Sequence, residues 1–329
     1  MPTRSAAGAR AGRRLGRTIA FRIAGVLLIL FVLSFLTFTL LYLAPGDLVK
    51  NLLGNRPSTP EAIAAVRAQY HLDDPFLVRY FDWLFSALRG DFGTSIRLQQ
   101  PVTTVVGSRL GVTSLLIGLS FLLALITAIP LGIVSAAKAG KRVDRIASAT
   151  ALFGLSAPSF ALAILSITLF AIMVPIFPAY GAGEGFIDRL WHLALPAMVL
   201  AAGIGAILMR MTRAAVLREL ESDAITFARS RGISEGRVRR IALRAALIPI
   251  VTSAGLILTF IIGGTIIVET VFALPGIGQL LQEAVMFKDL PVVQAITLLV
   301  AAAIAIITIL VDLSYMLLDP RVRAREMSA

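Results

Sequence analysis

Residues 245–268 read AALIPIVTSAGLILTFIIGGTIIV, an apolar run that contains no charged side chain. The hydrocarbon core of a bilayer is about 30 Å thick, and a helix needs roughly 20 apolar residues to cross it. Five other apolar stretches of the chain reach a similar length: about 19–43, 110–137, 146–177, 193–209 and 292–318. The pattern predicts an all-α integral membrane protein with six transmembrane helices.

The composition supports a membrane protein and excludes several kinds of chemistry. Of the 329 residues, 57% are apolar and 15% are charged, whereas soluble domains carry about 25% charged residues. The absence of cysteine excludes disulfides, thiolate zinc sites and cysteine nucleophiles. Two histidines, His71 and His192, are too few for a histidine-rich metal site. We therefore expect no metal site, no cofactor and no catalytic residue in this chain.

The hydrophobic pattern divides the chain into predicted segments. The first span follows a basic stretch, but it is longer than the core of a signal peptide and no A-x-A-like cleavage site ends it, so we predict a retained helix. The predicted segments are a basic cytoplasmic N-terminus (1–18), a first transmembrane helix (19–43), an extracytoplasmic helical segment (44–108), a five-helix transmembrane core (109–318) with a cytoplasmic loop (210–244), and a cytoplasmic tail (319–329).

Lysine and arginine are distributed unevenly between the predicted connections. The N-terminus counted through Arg22, the C-terminus and the connections 138–145 and 210–244 hold 22 of the 31 basic residues. The opposite connections, counted through Arg109, hold 9. Cytoplasmic loops of membrane proteins carry the excess of basic residues. The asymmetry therefore predicts that both termini lie in the cytoplasm. It also explains the net charge of +12 as orientation signals that face anionic lipid, so nucleic-acid binding is not expected.

The extracytoplasmic segment carries helix signals. Thr59, Pro60 and Glu61 supply an N-cap, a proline at the first helical position and an acid in the first turn, which predicts a helix to about Tyr70. Aromatic and apolar residues at helical spacing predict an amphipathic helix over 76–88. This second helix is either a docking surface for an external partner or an anchor at the membrane interface.

The sequence contains no motif for energy conversion or covalent catalysis. The nearest fragment to a phosphate-binding P-loop is Gly140-Lys141, which Arg142 follows and which lacks the upstream glycine. Buried ionisable groups near the membrane midplane would indicate a proton relay. Asp312 and Glu269 instead lie near the ends of their predicted spans, where we expect both to reach water or a headgroup. We therefore expect a non-enzymatic chain that obtains its energy from elsewhere.

Pro130, Pro158 and Pro196 lie in the interior of predicted spans. Proline removes a helical hydrogen bond and can kink a helix. These prolines either bend a pathway that opens, or they are ordinary prolines of membrane helices.

The cytoplasmic loop 210–244 carries the most informative pattern. Gly232 is predicted to end a helix in the left-handed conformation, and Ser234 to cap a second helix that runs into the fifth span. Apolar residues at helical spacing predict the first helix: Leu217, Leu220, Ala224, Phe227 and Ala228. The pattern fits either a bracket for a partner protein or a helix on the membrane surface.

Several stretches resemble the inner-membrane permease subunits of ATP-binding-cassette importers for dipeptides and oligopeptides, the peptide/nickel family. The first of the two permeases paired in such systems is the most similar, because of the large segment after the first span. The matching stretches are HLDDPFLVRYFDWLFSALRGDFGTS (71–95), GLSAPSFALAIL (154–165), DAITFARSRGIS (223–234), ALRAALIPIVT (242–252), GGTIIVETVFALPGIGQLL (263–281) and LVDLSYMLLDPRVR (310–323).

The resemblance implies a loop that couples to an ATPase. Its residues are Asp223, Ala224, Thr226, Phe227, Ala228, Arg229 and Gly232. The glutamate-alanine-alanine form of sugar permeases is replaced here by Thr226, Phe227 and Ala228, as expected of the peptide branch.

The resemblance also implies a set of partners. They are a homologous second permease that encloses the other half of the pathway, two ATPase subunits that hold ATP and Mg, an extracytoplasmic solute-binding protein, and the lipid of a bacterial or archaeal cytoplasmic membrane. The solute stays open among di-, tri- and oligopeptides, nickel chelates, glutathione and oligosaccharides. The alternative function is a stand-alone secondary carrier or channel.

Overall fold

A computed structural model of the chain describes residues 4–43, 49, 53, 57, 59–69 and 72–318. Within this part the chain is almost wholly helical. The helices are α1 (Arg4–Leu43), α2 (Pro60–Gln69), α3 (Phe76–Leu88), α4 (Val102–Ala137), α5 (Arg142–Ser156), α6 (Ser159–Ile167), α7 (Gly185–Leu220), α8 (Asp223–Ser230), α9 (Glu235–Val271), α10 (Ile277–Met286) and α11 (Leu290–Leu318). A π-helical segment, Thr168–Met173, follows α6 directly. The predicted tail 319–329 lies outside the described residues.

Five helical stretches are long and apolar enough to cross a bilayer: Ala20–Thr39, Val102–Ala137, Gly185–Leu220, Glu235–Val271 and Leu290–Val311. A sixth span exists if α5 and the helix Ser159–Met173 count as one broken span. The all-α membrane fold is therefore confirmed, with five spans or six.

The third predicted span, 146–177, is broken next to Pro158, one of the prolines that the sequence places inside a span. The chain bends by 101° between α5 and α6. Ala157 is extended, with φ −78° and ψ 124°, and α6 starts after Pro158. Proline pushes the preceding residue out of the helical region and has no N–H for the helical ladder. Pro130 and Pro196, by contrast, lie inside the continuous helices α4 and α7.

The chain forms two compact units. The large unit contains residues 114–274 and the described parts of 1–18 and 306–329. The small unit contains the described parts of 19–113 together with 275–305.

Alanine and aliphatic side chains from α4, α5, α7 and α9 form a core of the large unit. The helices approach closely where the side chains are small: a Cβ at Gly132 would lie 2.7 Å from the Met209 carbonyl oxygen and 2.7 Å from Thr212 Cβ. The buried members of this core are Ala128, Ala147, Ala151, Ala206, Leu208, Met209, Ile257 and Ile261. Only glycine fits at position 132, so α4 and α7 are in direct backbone contact there.

In the small unit, α3 packs on α1 through Tyr80, which is 1% exposed. Its hydroxyl group is hydrogen-bonded to the Ser34 hydroxyl at 2.8 Å. Edge-to-face ring contacts with Phe35 and Phe38, at centroid distances of 5.2 and 5.5 Å, surround the phenol. The predicted helix over 76–88 is present, and burial of this aromatic face on α1 explains its position.

The start of α2 agrees with the sequence signals. The Thr59 hydroxyl oxygen accepts a hydrogen bond from the Ala62 N–H at 3.2 Å, as an N-cap does. The helix ends at Gln69, and Tyr70 lies outside the described residues.

A buried carboxylate, Asp289, holds a turn of the small unit at residues 94–101. Asp289 accepts hydrogen bonds from the Ser95 hydroxyl, from the Ile96 N–H at 3.0 Å and from the Arg97 N–H at 3.2 Å. The Arg97 side chain pairs with Glu283 at 2.7 Å. One acidic side chain therefore satisfies backbone donors that would otherwise be buried without a partner.

Replacing Asp289 by alanine should lower the local stability of the turn at 94–101. Loss of the charged acceptor leaves the Ile96 and Arg97 N–H groups unpaired, which costs about 2 kcal/mol or more of local stability. Hydrogen exchange of the two amides, followed in a detergent or nanodisc sample, should accelerate. Asp91→Ala is the control, because Asp91 is exposed and accepts one hydrogen bond, from the Gly93 N–H in the same loop. Equal acceleration in both variants would contradict a specific role of Asp289.

Candidate functional site

The predicted cytoplasmic loop 210–244 is largely helical. α7 continues to Leu220, α8 occupies Asp223–Ser230, and α9 begins at Glu235. We call residues 220–242 the bracket: the end of α7, α8, the elbow at Gly232 and the first turns of α9.

The first helix predicted for this loop is in fact divided between two helices. Leu217 and Leu220 belong to α7, whereas Ala224, Phe227 and Ala228 belong to α8. The break lies at Ser222, whose backbone is extended with φ −69° and ψ 152° and whose hydroxyl group donates to the Glu219 carbonyl at 2.7 Å. Such local hydrogen bonds from serine compete with helix propagation.

Gly232 forms the elbow of the bracket, as the sequence predicted. Its φ is +76°, in the left-handed region. The Gly232 N–H donates to the Arg229 carbonyl at 2.9 Å, and the Ile233 N–H donates to the Ala228 carbonyl at 3.2 Å. This pair of bonds is the Schellman motif that ends many helices.

Ser234 occupies the N-cap position of α9, but its side chain makes no capping hydrogen bond. Glu235 instead joins the two arms of the bracket. Arg229 Nε lies 2.8 Å from Glu235 Oε1, and Arg229 Nη2 lies 3.5 Å from Glu235 Oε2. The pair spans the elbow, so it favours one angle between α8 and α9. Both side chains are exposed, and the pair adds little stability on its own.

The interior of the bracket is a small apolar cluster of Ile225, Ala228, Val238 and Ala242, with Leu220 and Ile233 packed against it. The predicted apolar face of α8 is therefore wrong in part. Because α8 starts afresh at Asp223, its helical phase turns Ile225 and Ala228 inward and leaves Phe227 outside. Ala228 is buried against α9, which explains why a small residue stands there.

The outward face of α8 presents an aromatic ring among polar groups. Phe227 is 63% exposed, and the Arg231 guanidinium lies 5.7 Å from the centre of its ring. The other exposed residues of this face are Asp223, Ala224, Thr226 and Arg229. Exposed aromatic and arginine side chains are typical of protein interfaces, so this face is suited to binding a partner.

Sequence reasoning missed a buried ion pair behind the bracket. Asp144, at the start of α5, is 4% exposed. The Arg213 guanidinium on α7 donates to both of its oxygens, Nε to Oδ1 at 2.6 Å and Nη2 to Oδ2 at 2.8 Å. The Ser135 hydroxyl of α4 donates to Oδ1 at 2.5 Å, and the Gly140 N–H donates to Oδ2 at 2.9 Å. We call these four residues the Asp144 clasp.

One signal in the sequence pointed to the clasp. Asp144 is the only acid in the connection 138–145, which holds four basic residues. Basic residues in this connection favour its cytoplasmic location, and an acidic residue does not contribute to that effect. The presence of Asp144 therefore needs another explanation. Arg213 carried no distinguishing mark, since it is one of nine basic residues in 210–244.

An apolar layer joins the bracket to the rest of the large unit. It contains Ala136, Ala215, Val216, Ala246 and Ile250 as its buried members. Leu220 packs both on this layer and on the cluster inside the bracket. The bracket is thus in continuous contact with α4, α7 and α9.

The described residues contain no group of three or more histidine, aspartate or glutamate side chains placed to hold a metal ion. His192 lies 3.3 Å from Asp188, as an isolated pair; His71 and the side chain of Asp312 lie outside the described residues. Glu269 is fully buried, contrary to the expectation that it reaches water. At the end of α9, the Leu274 N–H donates to the Glu269 carbonyl at 2.8 Å.

Comparison with known protein families identifies two matching regions. Residues 128–324 match the family described as "Binding-protein-dependent transport system inner membrane component". Residues 15–117 match the N-terminal component of such transport-system membrane proteins. Together these matches confirm the resemblance inferred from the sequence.

Relatives with assigned names match over nearly the whole chain. A peptide transport system permease protein of Brucella abortus (strain 2308) is 38% identical over 307 residues, covering 92% of this chain and 97% of the relative. The glutathione transport system permease protein GsiC of Escherichia coli (strain K12) is 35% identical over 303 residues, covering 92% and 97%. A chain of the MetNI methionine ABC transporter, solved in an inward-facing conformation, is 19% identical with a TM-score of 0.55 and covers 65% of this chain and 96% of that chain. At this identity the likeness concerns the fold alone.

Any side chain added at Gly232 should destabilise the elbow. Alanine at a left-handed position costs about 1 kcal/mol or more, although nothing lies within 4 Å of the added Cβ. We expect Gly232→Ala to accelerate hydrogen exchange at the end of α8, measured by mass spectrometry. The matched control is Gly236→Ala, which places the same methyl group in open space at an ordinary helical position of α9 and should stabilise it by up to about 1 kcal/mol. Similar exchange in both variants would show that φ at residue 232 imposes no constraint.

Proposed function

From the premise that this chain belongs to the family of binding-protein-dependent transport-system inner membrane components, we propose that it is one of two permease subunits of an ATP-driven importer. It encloses half of the translocation pathway, and a homologous second permease encloses the other half. The bracket is the surface on which an ATPase subunit docks. The observation that carries this assignment is the exposed Phe227 on a short helix whose opposite face is buried in the permease.

The chain must obtain its energy from partners. It has no P-loop to cradle a triphosphate. Two ATPase subunits would bind ATP and Mg, and an extracytoplasmic binding protein would deliver the solute, as the family's description implies. The chain itself would then perform no chemistry.

The residues of the coupling loop take distinct roles in this proposal. Phe227 is the apolar anchor that enters a groove of the ATPase, with Asp223, Ala224 and Thr226 beside it. Ala228 keeps α8 close to α9, and Gly232 sets the elbow. Arg229 fixes the angle of the two arms through Glu235. The bracket is thereby rigid enough to move as a unit when the ATPase moves.

Peptides or similar small solutes are the proposed cargo. The two relatives named above are called a peptide permease and a glutathione permease, and glutathione is itself a tripeptide. The alternative is a stand-alone carrier or channel, which needs no ATPase. Co-purification of ATPase subunits with the chain separates the two, since only the importer requires them.

Both termini and the bracket are proposed to face the cytoplasm of a bacterial or archaeal cell, and the turn at 94–101 to face outside. The unequal distribution of basic residues supports this orientation. The chain lacks native cysteine, so single cysteines at Gln100 and Ser230, both exposed, can be labelled in intact cells with an impermeant maleimide. Gln100→Cys should react and Ser230→Cys should react only after lysis. Labelling of Ser230→Cys from outside would overturn the orientation.

Removal of the anchor should weaken ATPase binding. Truncation of an aromatic hot-spot residue costs about 2 kcal/mol or more of binding free energy. If Phe227 is the anchor, Phe227→Ala should therefore retain much less ATPase on purification of the complex and should lower ATP-driven uptake of glutathione or a tripeptide into proteoliposomes. Phe153→Ala is the matched control, because Phe153 on α5 is 67% exposed and lies outside the bracket.

If the bracket is instead a helix on the membrane surface, substitution of its arginines should have a larger effect than substitution of Phe227. Under that interpretation, replacing Arg231, Arg237, Arg239 and Arg240 together by glutamine would reduce membrane insertion, and Phe227→Ala would leave ATPase binding unchanged. ATPase binding and uptake at the parent level in Phe227→Ala would contradict the docking proposal.

A further inference from the structure

The Asp144 clasp joins two consecutive helices, α4 and α5, to α7, whose Arg213 lies 69 residues from Asp144 in the sequence. Asp144 stands at the start of α5, Ser135 near the end of α4, and Arg213 near the end of α7. The Gly140 N–H contributes from the turn between α4 and α5. These three donor groups converge on the carboxylate of Asp144, which is almost completely shielded from solvent.

A buried charge of this kind persists only when its partners satisfy it. The carboxylate of Asp144 receives two hydrogen bonds from Arg213, one from Ser135 and one from Gly140. Both oxygens are therefore used, and the bidentate guanidinium fixes the orientation as well as the distance. Removal of one partner of such a pair leaves an uncompensated buried charge, which is strongly unfavourable. Separation of the three segments would expose the Asp144 carboxylate to solvent or leave it buried without its Arg213 partner.

The position of Arg213 connects the clasp to the bracket. Arg213 lies about two helical turns before Leu220 on the uninterrupted helix α7. Leu220 packs on the cluster inside the bracket and on the apolar layer behind it. At the same level, α4 and α7 touch through Gly132 and Thr212. A displacement of α8 therefore reaches Arg213 through rigid, packed elements.

We propose that the Asp144 clasp locks the cytoplasmic ends of α4 and α5 to α7, so that these helices move with the bracket as one body. Asp144, Arg213 and Ser135 are positioning residues that transmit displacement and do not touch solute or ATP. This inference rests on the proposed function, because it takes the bracket to be the docking surface for an ATPase.

Distance measurements between two spin labels test the clasp in the assembled importer. Labels are placed on Thr150→Cys in α5 and Ser230→Cys in α8, both at exposed positions of a chain without native cysteine. In the parent complex we expect a narrow distance distribution that is the same without nucleotide and with trapped ATP. Asp144→Asn should broaden the distribution and make it depend on nucleotide, because α5 no longer follows α7. Ser135→Ala, which removes one donor, should act in the same direction to a smaller extent.

Asp188→Asn is the matched control, since it makes the same chemical change in the large unit at a half-exposed carboxylate outside the clasp. It should leave the distribution unchanged. If Asp144→Asn does not assemble, Ser135→Ala decides the question. A nucleotide-dependent distance in the parent, or a parent-like distribution in the clasp variants, would overturn the inference.

The experiment separates failure of the clasp from failure of the proposed function. If no ATPase associates with the parent, the docking proposal is wrong. The same labels in the chain alone then still test the clasp, because Asp144→Asn should broaden the distribution there as well. If ATPase associates and the variants behave like the parent, the proposed function stands and the clasp proposal falls.

Discussion

The requirement that every backbone polar group find a partner inside the bilayer is the constraint on which this fold depends. Helices meet it within a single segment, so the apolar runs of the chain become helices over nearly their whole length. Among the described residues, the irregular backbone lies in the connections between helices. These connections include the elbow at Gly232, the break at Pro158 and the turn at 94–101.

Buried aspartates organise two of the non-helical regions. Asp289 in the small unit collects one hydroxyl and two backbone donors, and Asp144 in the large unit collects a guanidinium, a hydroxyl and a backbone N–H. In each unit one carboxylate accepts hydrogen bonds that water would otherwise accept from the donors of a turn. A carboxylate is suited to this task, because its two oxygens accept several hydrogen bonds and charge strengthens each of them.

The angle between α8 and α9 in the bracket is held by interactions of different strength. The exposed pair of Arg229 and Glu235 adds little stability by itself, because solvent screens it. The left-handed Gly232 and the buried contacts of Ala228 with α9 fix the elbow more firmly. Phe227 remains exposed because α8 restarts at Asp223, and its helical phase turns Ile225 and Ala228 inward instead. A rigid support behind an exposed aromatic ring is the arrangement expected of a site that receives force from a partner.

The sequence by itself determined the membrane class, the positions of most spans, the capping of α2 by Thr59 and the glycine elbow, because these depend on local hydrophobicity and on single-residue backbone preferences. The stretches quoted for the permease family were also sufficient to place the chain in it. Only the structure shows the division at Ser222 of the helix predicted for 210–244, the exposure of Phe227 and the burial of Glu269. Tertiary structure alone decided the pairing of Asp144 with Arg213, which are separated by 69 residues. A carboxylate in a basic connection can be satisfied by any of several arginines, and only the packing of α4, α5 and α7 selects one. Periodicity does not carry that information, since helical phase restarts at each break and the choice of partner depends on how distant helices approach.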